Sequence, residues 1–162
     1  METYVEMVRR HQKEFSELPV FFAFNNEQFS EGMKKFGVQD KSEVISINYG
    51  GYVKKTDAHL VKEFFSRCGE ELKTARKNRE FAVGMFKYEL GNHEYCVTRD
   101  LKEVINALGL TFEEIAADKE LTKALIQARE EYMKERCNGK ESDLEWIDNL
   151  RYLQQTDIRN FV

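Results

Sequence analysis

The chain has one proline, Pro19, in 162 residues, and no run rich in Ser, Pro and Gly. A flexible or polyproline linker between domains is therefore not expected. No stretch approaches the ~20 consecutive apolar residues of a membrane-spanning helix. The opening METYVEMVRRHQKEF is amphipathic and contains acids, so it reads as neither a secretory signal nor a typical transit peptide, and a cytoplasmic location is expected. Cysteine is scarce: Cys68, Cys96 and Cys137 are odd in number and form no CxxC or other ligand spacing. They read as buried free thiols in a reducing cell. GxxxxGK[ST], GxGxxG, a serine nucleophile elbow and HExxH are all missing, so no nucleotide loop or zinc-protease centre is expected. No cofactor and no metal is expected.

What is present is a soluble globular composition, 41% hydrophobic and 33% charged, long enough for one domain with a real core. The expected class is α+β: a predominantly helical single domain over residues 1–162 with a small antiparallel sheet of about three strands. A C-terminal helix over 142–162 is loosely attached in this reading. Net charge is −4 but unevenly placed. Residues 1–56 and residues 57–100 each hold 8 cations against 8 acids, whereas residues 101–162 hold 9 against 13. Such a chain has no general attraction to nucleic acid.

Hydrophobic spacing sets the expected elements. Tyr4, Val5, Val8, His11, Phe15 and Leu18 recur at three- and four-residue steps, a helix over 2–18 that Pro19 ends. Val20–Phe24 reads as a buried strand. Asn25 with Gln28 makes an N-cap and capping-box pattern, and Gly37 fits the left-handed C-cap. EVISINYGGYVKK over 43–55 reads as a hairpin turning at Gly50-Gly51. Thr56-Asp57 would cap a long helix to about Asn78. Residues 81–95 carry aromatics at helical steps and read as a helix, with Gly84 and Gly91 as weak points. Asp100, Gly109, Thr111 and Glu114 punctuate a helical hairpin, which resembles a helix-turn-helix reader only in outline. Its second helix opens Phe112-Glu113-Glu114, and acid there repels phosphate, so it reads as scaffold. Another helix follows over 118–137, and Asn138-Gly139 breaks it. Ser142 with Glu145 caps a last helix through Trp146, with the tail DIRNFV docking by Ile158 and Phe161. The expected core includes Phe15, Phe21, Phe22, Phe24, Phe29, Phe36, Phe64, Phe65, Phe81, Phe86 and Trp146.

The polar cluster Asn92-His93-Glu94-Tyr95 holds the candidate chemistry. On a helix Glu89 lies one turn before His93, a usable two-ligand half-site or a base with its orienting carboxylate. Equally, a Glu–His pair at this spacing is a common helix-stabilising contact. His93, Glu89 and Arg99 are the catalytic candidates. His59 is a second possible base, and Lys54, Lys55 and Arg79 are possible cations for phosphoryl charge. Tyr49, Tyr52 and Tyr95 could stack bases. No spacing makes this combination specific. Direct nucleic-acid binding is not expected outside one local patch, Lys73, Arg76, Lys77 and Arg79, whose place at a helix C-terminus already explains it. The acidic last third offers a face for a basic partner. Glu113, Glu114, Glu130, Glu131 and Glu135, with the hairpin tyrosines Tyr49 and Tyr52, are the candidate binding residues. Solvated helix faces are the plainer reading of the same acids.

Three segments carry a resemblance: PVFFAFNNEQFSEGMKKFGV, the YELGNHEY run, and DLKEVINALGLTFEEIAADKELTKAL. Together they resemble a family of small, functionally uncharacterised proteins of Gram-positive gut bacteria, their phages and plasmids. The resemblance implies a mobile-element accessory protein and brings no catalytic residues. Small acidic proteins of that setting act by binding and blocking a host machine, anti-CRISPR and anti-restriction proteins among them. The expected function is therefore inhibition of a host defence nuclease, such as a CRISPR effector or its ribonucleoprotein, by direct protein binding. The alternative is a small RNA- or nucleotide-processing enzyme centred on His93.

Overall fold

A computed structural model describes residues 2–137. The expected Ser142 helix, the DIRNFV tail, the break at Asn138-Gly139 and Trp146 lie outside the described residues. The fold is α+β and mostly helical, with a three-stranded antiparallel sheet in the order β1-β3-β2. The elements are α1 (Tyr4–Ser16), β1 (Val20–Phe22), α2 (Asn26–Lys35), β2 (Val44–Ser46), β3 (Gly51–Lys54), α3 (Ala58–Ala75), α4 (Arg79–Asn92), α5 (Tyr95–Thr98), α6 (Lys102–Ala107), α7 (Phe112–Ala117) and α8 (Lys119–Arg136). They group into two compact units: a sheet unit over Val8–Glu71, and a helical unit that among the described residues holds 2–7 and 72–137. No helix among the described residues is long and apolar enough to cross a membrane.

In the sheet unit, β3 is central because both neighbours pair with it: Phe21 faces Tyr52 across one ladder, and Ile45 faces Val53 across the other. Side chains alternate across a strand. Phe21 therefore turns to α2, where it stacks on Tyr52 at 5.5 Å and meets Phe29 and Phe36. Met33, Ala23 and Val38 complete this cluster. Gly32 of α2 lets the Phe21 ring lie against the helix backbone: a Cβ there would overlap the ring, with its Cγ only 2.9 Å away. On the opposite side of the sheet Val53 is fully buried.

Three expected core phenylalanines are not core. Phe22 is 51% exposed, Phe24 77% and Phe65 55%. The reason is geometric. Side chains alternate along the strand, so Phe21 turns into the α2 cluster while Phe22, on the other face with the fully buried Val53, meets the Phe15 ring and stays half uncovered. On α3, Val61 and Phe64 share the buried stripe one turn apart, and Phe65 lies off it. The hairpin turn also shifts by one residue. Asn48, Tyr49 and Gly50 all take positive φ (75°, 48° and 76°), Gly51 N–H donates to Asn48 O, and Gly51 already belongs to β3.

In the helical unit, α4 packs most extensively on α8. Its buried residues, Phe81, Ala82, Val83, Met85, Phe86, Glu89 and Leu90, leave little of the circumference to solvent. Full burial of a Phe, Met or Leu side chain contributes about 1.5–3 kcal/mol. Alanines 124 and 128 of α8, both fully buried, let the helices approach closely. The stretch expected as one helix over 81–95 is two. α4 ends at Asn92, capped by His93, and Glu94 then turns left-handed at φ 49° to start the four-residue α5. The helical hairpin is punctuated as expected at Gly109 and Thr111 but not at its start: the N-cap of α6 is Leu101, without a side-chain bond, and the expected cap Asp100 stands one residue earlier, accepting from Lys102 N–H at 2.7 Å. Gly109 takes φ 61°, and Thr111 and Glu114 form a reciprocal capping box. Asp118 ends α7 and caps α8, accepting from Glu120 and Leu121 N–H at 3.0 Å each.

The cysteines depart from the free-thiol reading. Cys96 of α5 and Cys137 at the end of α8 form a disulfide, with Cα atoms 5.4 Å apart; Cys68 is free and half-buried. Nothing in a 41-residue separation announces this pair, because the packing of α5 against the helical unit brings it together.

Candidate functional site

The strongest polar constellation is centred on Glu89, whose side chain points into the helical unit from the last turn of α4. It is buried, as a carboxylate is only when partnered. The Tyr4 hydroxyl of α1 donates to its Oε1 at 2.6 Å, and Asn92 Nδ2 donates to its Oε2 at 3.1 Å. His93 Nε2 stands 3.5 Å from Oε2, close enough for ionic attraction but long for a hydrogen bond. Burial first, and then donation to the Glu89 carboxylate, push the Tyr4 phenol well above its ordinary range, so it stays protonated as a donor. The ring is fixed by edge contacts with Phe81 at 6.0 Å and Tyr88 at 5.5 Å.

Chemically, this is a buried carboxylate beside an imidazole whose side chain is 30% exposed. Such a pair is the orienting half of a general base. Arg99 is directed elsewhere: it caps α5 in a left-handed conformation, and its Nη1 donates to Met133 Sδ of α8. Among the described residues no group of three or more His, Cys, Asp or Glu could hold a metal ion. Tyr95, read as a base-stacking candidate, is 1% exposed and cannot stack a base. Its hydroxyl accepts from Arg129 Nε at 2.8 Å inside the same unit, with the guanidinium 5.8 Å from the ring centroid.

The binding candidates differ in how free they are. Glu131 and Glu135 both contact Lys87 Nζ of α4, at 3.1 and 2.8 Å, which holds the Lys87 ammonium above its ordinary range. Glu114 is engaged in the α7 capping box. Glu113 and Glu130 are exposed. Glu120 pairs with Lys123 at 2.5 Å. Of the five candidate acids, Glu131 and Glu135 thus share one lysine and Glu114 is engaged in a cap, which leaves Glu113 and Glu130. In the basic patch, Lys73 and Lys77 are exposed, and Arg79 donates twice to Gln127 Oε1. Arg79, Glu80, Val83, Gln127 and Glu131 line an open groove of about 440 Å³ on the helical unit.

In the sheet unit, Tyr52 is packed, stacked on Phe21 and edge-on to Phe29 at 4.8 Å. Tyr49 is 93% exposed. It sits at the hairpin tip beside Gly50, over which the exposed Phe24 ring lies; a Cβ at Gly50 would meet Phe24 Cε1 at 2.6 Å. Phe15 touches both Phe22, at 6.4 Å, and Phe65, at 5.7 Å. His93 and Glu89 therefore belong to the helical unit and the Tyr49–Lys55 hairpin to the sheet unit.

One cluster carried little signal in the sequence. Glu71 of α3 accepts from Arg10 at 2.8 Å, Arg67 at 2.8 Å and His11 at 2.8 Å, and Arg10 and Arg67 both also reach Glu14. Donation from His11 first, and then from Arg10, draws the Glu71 carboxyl down to about 2. The network ties α1 to α3 inside the sheet unit. Only the i,i+4 spacings of Arg10–Glu14 and Arg67–Glu71 hinted at it.

No curated protein and no solved structure matches the chain. A family model does, over residues 3–131. The chain belongs to that family, DUF7659, a family of unknown function.

Proposed function

We propose that this protein acts by binding another protein, and that its partner is a nuclease of host defence that it inhibits. The observation that carries the reading is the exposed apolar surface of the sheet unit. Phe22, Phe24, Ile45, Tyr49, Leu60 and Phe65, six of the seven large hydrophobic side chains exposed among the described residues, belong to that unit. At roughly 200 Å² per aromatic side chain, the exposed fractions of Phe22, Phe24, Tyr49 and Phe65 leave roughly 500–600 Å² uncovered. That is most of the ~800 Å² that one side of a standard interface contributes. Aromatic anchors of this kind dominate binding energy where they occur. The helical unit, taken by itself, exposes Glu113 and Glu130, a sign of charge that attracts a nucleic-acid-binding partner at long range.

A pull-down of a purified CRISPR effector, with and without guide RNA, tests this. Wild type is expected to retain the effector. Phe24→Ser with Tyr49→Ser is expected to lose it at least tenfold, since both side chains are solvent-facing and their removal spares the core. Glu113→Lys with Glu130→Lys is expected to weaken binding at low salt more than at high salt. Retention of no defence nuclease, or binding indifferent to the aromatic pair, refutes the proposal.

The second reading, an enzyme acting on RNA or nucleotides, is favoured by the half-exposed His93 imidazole 3.5 Å from the buried Glu89 carboxylate. A cleavage screen comparing wild type with His93→Ala decides it: activity that survives the substitution removes His93 from the account.

A further inference from the structure

α5 has little to hold it in its own sequence. It is four residues long, its N-cap makes no side-chain hydrogen bond, and it is bracketed by two left-handed non-glycine residues, Glu94 at φ 49° and Arg99 at φ 55°. A single turn of helix does not persist on its own, and each left-handed residue adds cost. Val97 on its outer side is 80% exposed. Its ties to α8 lie at its two ends: Arg99, its C-cap, donates to Met133 Sδ, and two further ties start from its first turn. Tyr95 is buried and accepts from Arg129, and the next residue, Cys96, is bonded to Cys137. Both cysteines are half-buried, so a small thiol reaches them without unfolding the core. Their Cα separation of 5.4 Å lies within the 4.4–6.8 Å range a disulfide spans without backbone movement. Cys68, the third cysteine, lies in the other unit, where burial pushes its thiol up and makes it a poor competitor for exchange.

We propose that Cys96 and Cys137 form a reversible redox clasp, closed by exchange with a low-molecular-weight disulfide such as glutathione disulfide, which fixes α5 and the end of α8 and frees both when reduced. In the closing step, one cysteine thiolate attacks a glutathione disulfide sulfur. A mixed disulfide forms and one glutathione thiolate leaves. The second cysteine, as thiolate, then attacks the protein-bound sulfur and expels the second glutathione. Two protein thiols are oxidised, one disulfide is reduced to two thiols, and two protons pass from the cysteines to the departing glutathiones. Reduction runs the same two exchanges backwards. The Tyr95–Arg129 hydrogen bond then stands without its covalent neighbour, and the left-handed ends of α5 can relax.

The test uses the full-length protein equilibrated in glutathione buffers of graded composition. Alkylation followed by intact mass is expected to show one modified cysteine in oxidising buffer and three in reducing buffer, with a single reversible transition. Amide exchange over residues 93–100 and 130–137 is expected to rise at least tenfold on reduction. Cys96→Ser and Cys137→Ser should each show the fast exchange in every buffer, and Cys68→Ser should behave as wild type. Three modified cysteines in oxidising buffer overturn the proposal. So does a bond that glutathione cannot reduce in the folded protein, which would make it a permanent staple. Exchange unchanged by reduction of the wild type also overturns it, and that measurement stands if a serine variant fails to fold.

Discussion

Replacing Tyr4 by Phe isolates one oxygen atom in the polar centre of the helical unit. The ring keeps its edge contacts with Phe81 and Tyr88, so the packing term is nearly unchanged. What is lost is the 2.6 Å hydrogen bond to a buried carboxylate, leaving Glu89 Oε1 without this donor. Hydrogen bonds to charged groups contribute about 1.5–3 kcal/mol, and the loss is felt in full when one partner stays behind, buried. A loss of about 2 kcal/mol corresponds to a fall in Tm of about 4–8 °C for a chain of this size. Calorimetry of wild type, Tyr4→Phe, Glu89→Leu and the double variant closes a mutant cycle. Because removing both partners removes the desolvated orphan as well, the double variant should be less destabilised than the sum of the singles, by at least about 1 kcal/mol. A Tyr4→Phe protein that melts within about 1 °C of wild type, or a cycle that is additive, refutes the view that Glu89 is held by Tyr4.

Gly32→Ala should destabilise the protein by about 1–3 kcal/mol despite the higher helix propensity of alanine, because its methyl would overlap the Phe21 ring; urea unfolding measures this. Glu71 is drawn down to about 2 from an ordinary 4.5, so its network stabilises the fold fully above pH 4.5 and the contribution is lost as pH falls toward 2. Partial exposure and solvent screening reduce that contribution to about 1 kcal/mol, and Glu71→Gln should flatten the acid limb of a stability-versus-pH curve across that window. Cys96→Ser should lower stability in oxidising buffer by up to about 4 kcal/mol, the loop-closure value for a separation of 41 residues, and in reducing buffer by almost nothing.

Local punctuation was legible in the chain, because capping is chemistry between residues three apart. Asn25 accepts from Gln28 N–H, Thr111 pairs with Glu114, and Gly37 and Gly109 take the left-handed turn, all at the positions their residue types indicated. Gln28 departs in one detail, reaching back to Phe24 N–H rather than closing the box on Asn25. The Glu89–His93 step was readable for the same reason. Its partner Tyr4 was not, since 85 residues separate it from Glu89 and only packing brings the two together. The fate of the phenylalanines was equally hidden. Hydrophobicity marks Phe21, Phe22 and Phe24 alike, and what buries Phe21 is the cluster it joins with Met33, Phe29 and Phe36 of the α2 region, a matter of packing. The internal neutralisation of Glu131 and Glu135 depends on Lys87 facing α8, a matter of helix rotation that charge counting does not reach.

Asp118 is a hinge pin shared by two helices. It ends α7, its carboxylate starts α8, and Thr122 Oγ1 donates back to Ile115 O at 2.6 Å across the joint. With no spacer between the helices, their rotational phase is set by a count of residues. Inserting one residue at this joint would turn α8 by about 100°, putting Lys123 and Gln127 where Ala124 and Ala128 now pack, and deleting one would turn it the other way, putting Arg129 where Ala128 packs. The molecule can therefore absorb changes of residue type along α8 far more readily than a change of length at its start.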